Sequence, residues 1–500
     1  MSVKIWSVGL VAVILASGAV WGATQISSAS ETRSGHRHSP VLMQQNLPPL
    51  LSYVPKYYEH VKPILERSCV GCHSTGNIAP FALETAAQAA PMARTIQKAV
   101  QNKYMPPVTA GGATPALLHD KRLSSEEIAI IANWAWAGAP LGKETNFSQA
   151  VSSNQKRNPD LVLTPKSEFL PDERLTDEYR CFIFDPKLTE PRFMEAYNIV
   201  PANKKIVHHA VIFQIDKSKA ESAVQLENKQ NDGRLGYPCF GGPGNNLGRP
   251  NIIGVWAPGQ GAVDYPKGTG TQIQPGDVLV LQMHYNLLAG KGTDQSKAEL
   301  FFAPKSVGVK RMNSSIILAP VEVPCAGMYP TDPKDPCHRE AAYTRAEQLG
   351  DETATLFKNP GLLSFCGSTL EKFTTGSTGK TINQCTFPLR IGAEQNLAIY
   401  GMLGHMHLLG QSIKLELIRA NVAQTVLEIP RWDFHWQSSY WLEKPIDLKV
   451  GDQVKITCEF NNTPEVQPEI GGTRIKPRYV VWGEGTVDEM CLGILQIGQK

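Results

Sequence analysis

The spacing of apolar residues changes twice along this chain. An unbroken apolar run extends from Ile5 to about Ala23, led by Lys4 and followed by Ser- and Thr-rich sequence. Residues 1–23 therefore read as an export signal, with small residues at Ser17–Ala19 suited to cleavage, or as a retained membrane anchor. Residues 24–50 are rich in Ser, Pro and Gln and read as a tether. From Tyr57 the spacing turns helical, with Val61, Ile64 and Leu65 on one face. Residues 124–139, SSEEIAIIANWAWAGA, form the clearest helix. Ser124 or Ser125 caps it, Glu126 and Glu127 occupy its first turn, Ile128, Ile131, Ala132 and Ala135 form its stripe, and Gly138 and Pro140 end it. A small all-α domain is expected over 51–145, with polar linker sequence from 143 to 160.

After Pro159 the period falls to that of strands. Short β-branched and aromatic runs, among them IVHHAVIFQI, DVLVLQMHYNL, NLAIYGMLGHMH, SIKLELIR and DQVKITCEF, are separated by Gly, Pro, Asn and Asp. This is the texture of antiparallel β-sandwiches. A boundary at 312/313 divides the region into two halves of ordinary sandwich size, 160–312 and 313–500. The expected architecture is multidomain: a small all-α domain followed by two antiparallel β-sandwich domains.

Composition agrees with that picture. The chain has 500 residues, too many for one core, and its 42 glycines and 36 prolines suit a turn-rich β protein. A net charge of +3, with no run of Lys and Arg interleaved with aromatics, argues against a nucleic-acid partner. No G-x-G-x-x-G follows a strand to open a helix, and no P-loop occurs.

Cysteine usage adds chemistry. Residues 68–76 read SCVGCHSTG, in which Cys69, Cys72 and His73 form C-x-x-C-H, the attachment signature of a c-type haem. His73 would supply one axial nitrogen, and Met105 in KYMPPVTAGG is the candidate for the other axial position, held by Pro106 and Pro107. A Met/His pair suits one-electron transfer. The segment 51–145 resembles a class I cytochrome c domain. The remaining eight cysteines repeat no C-x-x-C spacing, and an even number in an exported chain favours disulfides. Cys325–Cys337 and Cys366–Cys385 are expected pairs from proximity in the chain.

Histidines point to a second metal chemistry. Of twelve, five lie in three strand-like segments: His208 and His209 in IVHHAVIF, His284 in VLQMHYN, and His405 and His407 in GHMHLLG. Positions i and i+2 of a strand share a face, so His405 and His407 can grip one metal with Met406 turned away. His208 and His209 are adjacent and can share a metal only at a strand end, at a bulge, or with rings reaching round. Imidazole with thioether favours copper; zinc competes, but no H-E-x-x-H occurs. No His₂Cys arrangement for a blue-copper site is evident.

The order HH, QMHY, GHMHLLG and DEMC (488–491) resembles the copper type II ascorbate-dependent monooxygenases, the family of dopamine β-hydroxylase and peptidylglycine α-hydroxylating monooxygenase. RWDFHWQ at 431–437 and VGDQVKITCEFNN at 450–462 extend the resemblance, which covers about 160–500. It implies two consecutive jelly-roll sandwiches, one copper each, with a solvent-filled cleft between them. His208, His209 and His284 would hold an electron-storing copper; His405, His407 and Met490 would hold the copper that binds dioxygen beside the substrate. Gln282 also fits the pattern, without an assigned role. Cys458–Cys491 and Cys181–Cys239 would be disulfides. Two departures stand out. Leu403 replaces the Arg that helps bind a peptide carboxylate, and Ile494 replaces an expected Tyr, so a peptidylglycine substrate is not expected. Leu403, Leu408 and Leu409 suit a neutral or apolar substrate, or the core.

The expected protein is thus an exported copper monooxygenase, periplasmic or anchored to the outer face of the inner membrane. It would use two copper ions and one covalent haem c, acting on a small organic substrate and dioxygen. Its upstream one-electron donor would be ascorbate, a quinol-linked cytochrome or another reductant. Two alternatives remain: an exported electron-transfer or copper-binding protein without hydroxylase activity, and a cytochrome carried on a structural β scaffold.

Overall fold

The computed structural model describes residues 51–500 apart from 76–78, 108–109, 119, 145–156, 230–231, 240–241, 245–246, 248–249, 259, 288–289, 306, 349–356, 359, 393–394, 435 and 471–472. The expected export signal or anchor and the tether at 24–50 lie outside the described residues. So does most of the linker. Among the described residues no helix is long and apolar enough to cross a membrane.

Helices occupy the first described segment. A single π turn, Tyr57–Val61, runs into the helix Lys62–Ser68, followed by Ala86–Ala89, Ala93–Gln101 and Ser125–Trp136. The last begins with a capping box. Ser124 accepts from the Glu127 backbone N–H, and the Glu127 carboxylate accepts from that of Ser124, satisfying two orphan donors. Tyr57, Val61, Leu65, Ile96, Val100, Ile131 and Trp134 pack into a core of their own.

The rest is mostly β. A five-stranded antiparallel sheet runs in the order Tyr237–Pro238, Asp177–Phe184, Val278–Asn286, Val207–Ile215, Asn251–Trp256. A four-stranded antiparallel sheet runs Lys380–Pro388, Gln453–Asn461, Gly410–Arg419, Val422–Ile429. Both pack on one nine-stranded sheet. Phe182, Ile212 and Leu281 of the first meet Tyr197, Ile199 and Leu300 of the large sheet. Ile413, Leu415 and Ile456 of the second meet Ile317, Ile399 and Leu495. These are sandwich layers; strands of the four-stranded sheet bury alternate residues, whereas Val278–Asn286 at the centre of the five-stranded sheet is buried on both faces. The large sheet is continuous because Thr269–Ile273 pairs in parallel with Lys310–Leu318 at Thr269–Lys310 and Gly270–Arg311. The expected boundary at 312/313 falls inside the second of these strands.

Four disulfides form: Cys181–Cys239, Cys325–Cys337, Cys366–Cys385 and Cys458–Cys491. Among the described residues only Cys69 and Cys72 are free thiols. Four bridges indicate folding in an oxidising compartment, as for an exported protein.

The helical segment is fastened to the β region rather than hung beside it. The Thr114 hydroxyl accepts from Glu428 N–H at 2.8 Å, and Gly111 N–H donates to the Glu428 carbonyl at 3.0 Å. Leu118 N–H donates to Trp441 O at 2.8 Å, and Glu443 N–H to Ala116 O at 2.9 Å. The chain after the third helix therefore runs along the edge of the second sandwich before returning to the helical core.

Candidate metal centre

His208 and His209 are brought to one side by a β-bulge. In the pairing of Val207–Ile215 with Val278–Asn286, Val207 lies opposite Tyr285 and His209 opposite His284. Two successive residues of one strand thus face residues two apart on the other, leaving His208 as the extra one. A bulge turns a side chain out of strict alternation, and adjacent histidines can then face the same point. The Nδ1 atoms of His208 and His209 lie 3.3 Å apart, and those of His209 and His284 lie 3.2 Å apart. One ligand nitrogen from each of the three falls within 4.8 Å of the others, a donor set that fits a single metal ion.

The inward nitrogen of His284 is chosen by its outer partner. Its Nε2 donates to the Asp177 carboxylate at 2.8 Å, leaving Nδ1 with the lone pair. Asp177 in turn accepts from the Thr486 hydroxyl. Burial opposes ionisation of Asp177, but the hydrogen bonds from His284 and Thr486 outweigh it and hold the carboxyl below its ordinary range. His284 also stacks on Tyr179, with ring centroids 4.1 Å apart. Gln282, two residues back on the same face, donates to the carbonyls of Cys239 and Gly242 and so ties down the loop beyond the Cys181–Cys239 bridge.

His405 ends the strand Leu397–His405, and His407 follows it with Met406 buried between them in the second core. The two rings sit 5.0 Å apart. Each uses Nδ1 on an oxygen: His405 on Gln437 Oε1 at 2.5 Å, His407 on the Asp488 carbonyl at 3.1 Å. A carbonyl can only accept, so Nδ1 carries the proton in both and Nε2 keeps the lone pair for a metal. Glu489 lies fully buried behind them and accepts from the backbone N–H groups of His407 and Leu409. Burial pushes its carboxyl up to about 8 despite those bonds. Met490 follows directly and is buried against the second core beside the Cys458–Cys491 bridge.

The two groups are not separated by an open cleft. His209 and His405 have ring centroids 6.0 Å apart. Side chains from 431–437 fill the neighbouring space: Phe434 stacks on His208 at 4.3 Å and stands edge-on to His407 at 5.9 Å, and Trp432 Nε1 donates to the His407 carbonyl. Burial, reinforced by the neighbouring rings, holds His209 and His407 well below the ordinary imidazole range. Burial also lowers His405 to about 4. All three imidazoles are neutral at physiological pH, the form that ligates metals.

Cys69, Cys72, His73 and Met105 line a single cavity of about 670 Å³. His73 Nδ1 donates to the Phe81 carbonyl at 2.9 Å, which orients the ring and leaves Nε2 for ligation. Phe81, Leu83, Ile96 and Val100 complete an apolar lining. Two free thiols, an oriented imidazole and a thioether around an apolar cavity fit a covalently held haem.

Leu403 and Ile494 are cross-strand partners, both buried in a core cluster with Tyr179 and Phe213. Leu409 is buried too. Asp177, Gln437, Trp432, Phe434 and Glu489 had no assigned role in the sequence. RWDFHWQ holds Trp432, Phe434 and Gln437, and DEMC holds Glu489, but nothing marks Asp177 in DEYRCFIF as an outer partner.

Residues 377–496 match the family model described as copper type II ascorbate-dependent monooxygenase, C-terminal domain. A tyramine beta-hydroxylase of Caenorhabditis briggsae is 22% identical over 354 residues, 69% of this chain and 49% of the relative. The chain thus spans about half the length of that curated relative. Among solved structures, the major capsid protein P2 of bacteriophage PM2 aligns with a TM-score of 0.22 at 6% identity, covering 68% of this chain and 97% of that one. Allantoicase aligns with a TM-score of 0.15 at 11% identity, covering 64% and 83%. Likenesses this slight carry neither fold nor function.

Proposed function

We propose that this chain, with its copper monooxygenase C-terminal domain, is a copper-dependent monooxygenase that hydroxylates a C–H bond of a small organic molecule, with electrons supplied through a c-type haem. The observation that carries it is the pair of imidazole groups, one of three rings and one of two, meeting beside a thioether-bearing segment of the matched domain. When bound, copper supplies one electron per ion and the site at which dioxygen reacts, one oxygen atom going to product and the other to water.

In this reading His208, His209 and His284 hold the first copper through Nδ1, with Asp177 fixing the tautomer. His405 and His407 hold the second through Nε2, with Gln437 and the Asp488 carbonyl fixing theirs, and Met490 adds the soft sulfur that favours Cu(I). Glu489 braces the turn after His407. Cys69 and Cys72 would carry the haem and His73 and Met105 would ligate its iron, with 51–145 as a class I cytochrome c domain ahead of two sandwiches at 160–312 and 313–500. Apolar Leu403 and Ile494 offer no charge for a substrate carboxylate, which favours a neutral or apolar substrate over a peptide acid. The tyramine beta-hydroxylase match supports the reaction class. The protein is exported, to the periplasm or to the outer face of the inner membrane.

Metal analysis is expected to return two coppers and one haem per chain. Reduced protein given dioxygen and a mixed panel of small molecules is expected to yield a hydroxylated product by mass spectrometry. His407→Ala is expected to abolish that product with the haem spectrum unchanged. A single copper per chain, or an active His407→Ala variant, would sink the reading in favour of a copper-binding electron carrier.

A further inference from the structure

The cavity that holds Cys69, Cys72, His73 and Met105 has a second wall. It is built by Lys205, Ile206, Val207 and His208 from the start of the HH strand, with Phe434 and Trp436 from the 431–437 loop. His208 therefore belongs to two sites at once. It bounds the cavity, and it is one of the three imidazoles whose nitrogens converge. Phe434 likewise lines the cavity and lies nearly parallel to the His208 ring, 19° between planes. His208 is the extra residue of its strand at the bulge, and it is from that position that it lines the cavity. The wall is held in place by the bonds at Gly111, Thr114 and Leu118, and by a hydrogen bond from Arg431 to the Lys103 carbonyl beside Met105.

We infer that His208 is the electron-entry ligand of the three-histidine group, so that each electron passes from a haem in this cavity to that group within one chain, with Phe434 as the positioning residue that keeps the His208 ring against the cavity. This rests on the haem and copper reading above and specifies its internal donor. The step balances simply: one electron leaves haem iron, Fe(II) to Fe(III), and arrives on copper, Cu(II) to Cu(I). No bond or proton moves. Ascorbate or another one-electron reductant restores the haem, and so need not reach the buried copper itself.

The test uses oxidised, copper-loaded holoprotein without dioxygen, mixed in a stopped-flow cell with less than one equivalent of dithionite. The haem band is expected to show reduction and then decay, while the Cu(II) resonance falls in matched freeze-quenched samples. The decay rate is expected to be independent of protein concentration, and copper-free protein is expected to hold its haem reduced. Phe434→Leu is expected to slow the decay about tenfold or more, since a small misplacement of a required contact has large kinetic effects. Phe434→Tyr, which keeps the ring, is expected to restore it, with haem spectrum and copper content equal in all three proteins. A decay rate proportional to protein concentration, no decay at all, or no effect of Phe434→Leu overturns the inference and leaves the two-copper reading standing. Absence of a covalent haem band overturns it together with the haem assignment, and the copper count then reports on the rest.

Discussion

At the scale of single residues, the site depends on which nitrogen each imidazole turns inward, and for three of the five that choice is made by oxygens outside the cluster. Asp177 makes it for His284, Gln437 for His405, and the Asp488 carbonyl for His407. Removing such a partner frees the ring to rotate and to take the other tautomer. Asp177→Ala is therefore expected to weaken copper binding at the three-histidine group about 10- to 100-fold. Occupancy at His405 and His407 should be unaffected, as read by copper titration with spin resonance to distinguish the two ions. Equal weakening at both would mean that Asp177 acts on the fold at large. The histidines proposed as ligands stood out in the sequence because HH, QMH and H-x-H fall in or beside strand-like apolar runs. Their outer partners did not, since Asp177 and Gln437 come from segments distant in the chain, and an Asp or Gln on a strand or loop is unremarkable until the fold closes.

Among elements, a buried ion pair ties the helix Arg339–Gln348 to the short strand Glu322–Val323. Arg339, opening the helix Arg339–Gln348, forks onto the Glu322 carboxylate at 2.6 and 2.9 Å. Tyr479 donates to the same carboxylate at 2.8 Å. Burial raises Glu322, while the Arg339 bond pulls against that rise. A charge so enclosed is tolerated only with its partner in place. Arg339→Met is expected to cost about 3–5 kcal/mol, since it leaves an unpaired buried carboxylate. Arg339→Met combined with Glu322→Leu should recover much of the loss. Thermal unfolding of the three proteins checks this, and a double variant no better than the single would refute it. The bulge at His208 belongs to this scale as well. Alternation predicted that adjacent histidines could share a metal only through a strand end, a bulge or reaching rings, and the register selected the bulge.

For the whole molecule, the decisive arrangement is the fastening of the helical segment to the strands that follow the second histidine group. Thr114 accepts the Glu428 N–H and is largely buried there. Thr114→Val should leave that donor without its partner and loosen the attachment by about 1–3 kcal/mol. Native-state hydrogen exchange should show faster exchange at Gly111–Leu118, with the Ser125–Trp136 helix unchanged; uniform acceleration would mean global destabilisation instead. Continuity of the large sheet across Thr269–Ile273 and Lys310–Leu318 works in the same direction, by fixing one half of the β region against the other.

The sequence by itself determined the local chemistry: the C-x-x-C-H motif, the pairs and singles of histidine on strands, the capped helix at 125–136, and an even set of cysteines left for disulfides. These are short-range patterns, set by periods of 2 and 3.6 and by ligand type, and need no knowledge of which strand lies beside which. Tertiary structure alone decided that His208 sits in a bulge, that the His209 and His405 ring centroids lie 6.0 Å apart across what resemblance suggested was an open cleft, and that Phe434 touches both groups, stacked on His208 and edge-on to His407. Those contacts join residues 75 positions apart at the bulge and about 200 or more apart at the rings, and they are fixed by register, sheet order and packing, which a one-dimensional pattern does not encode.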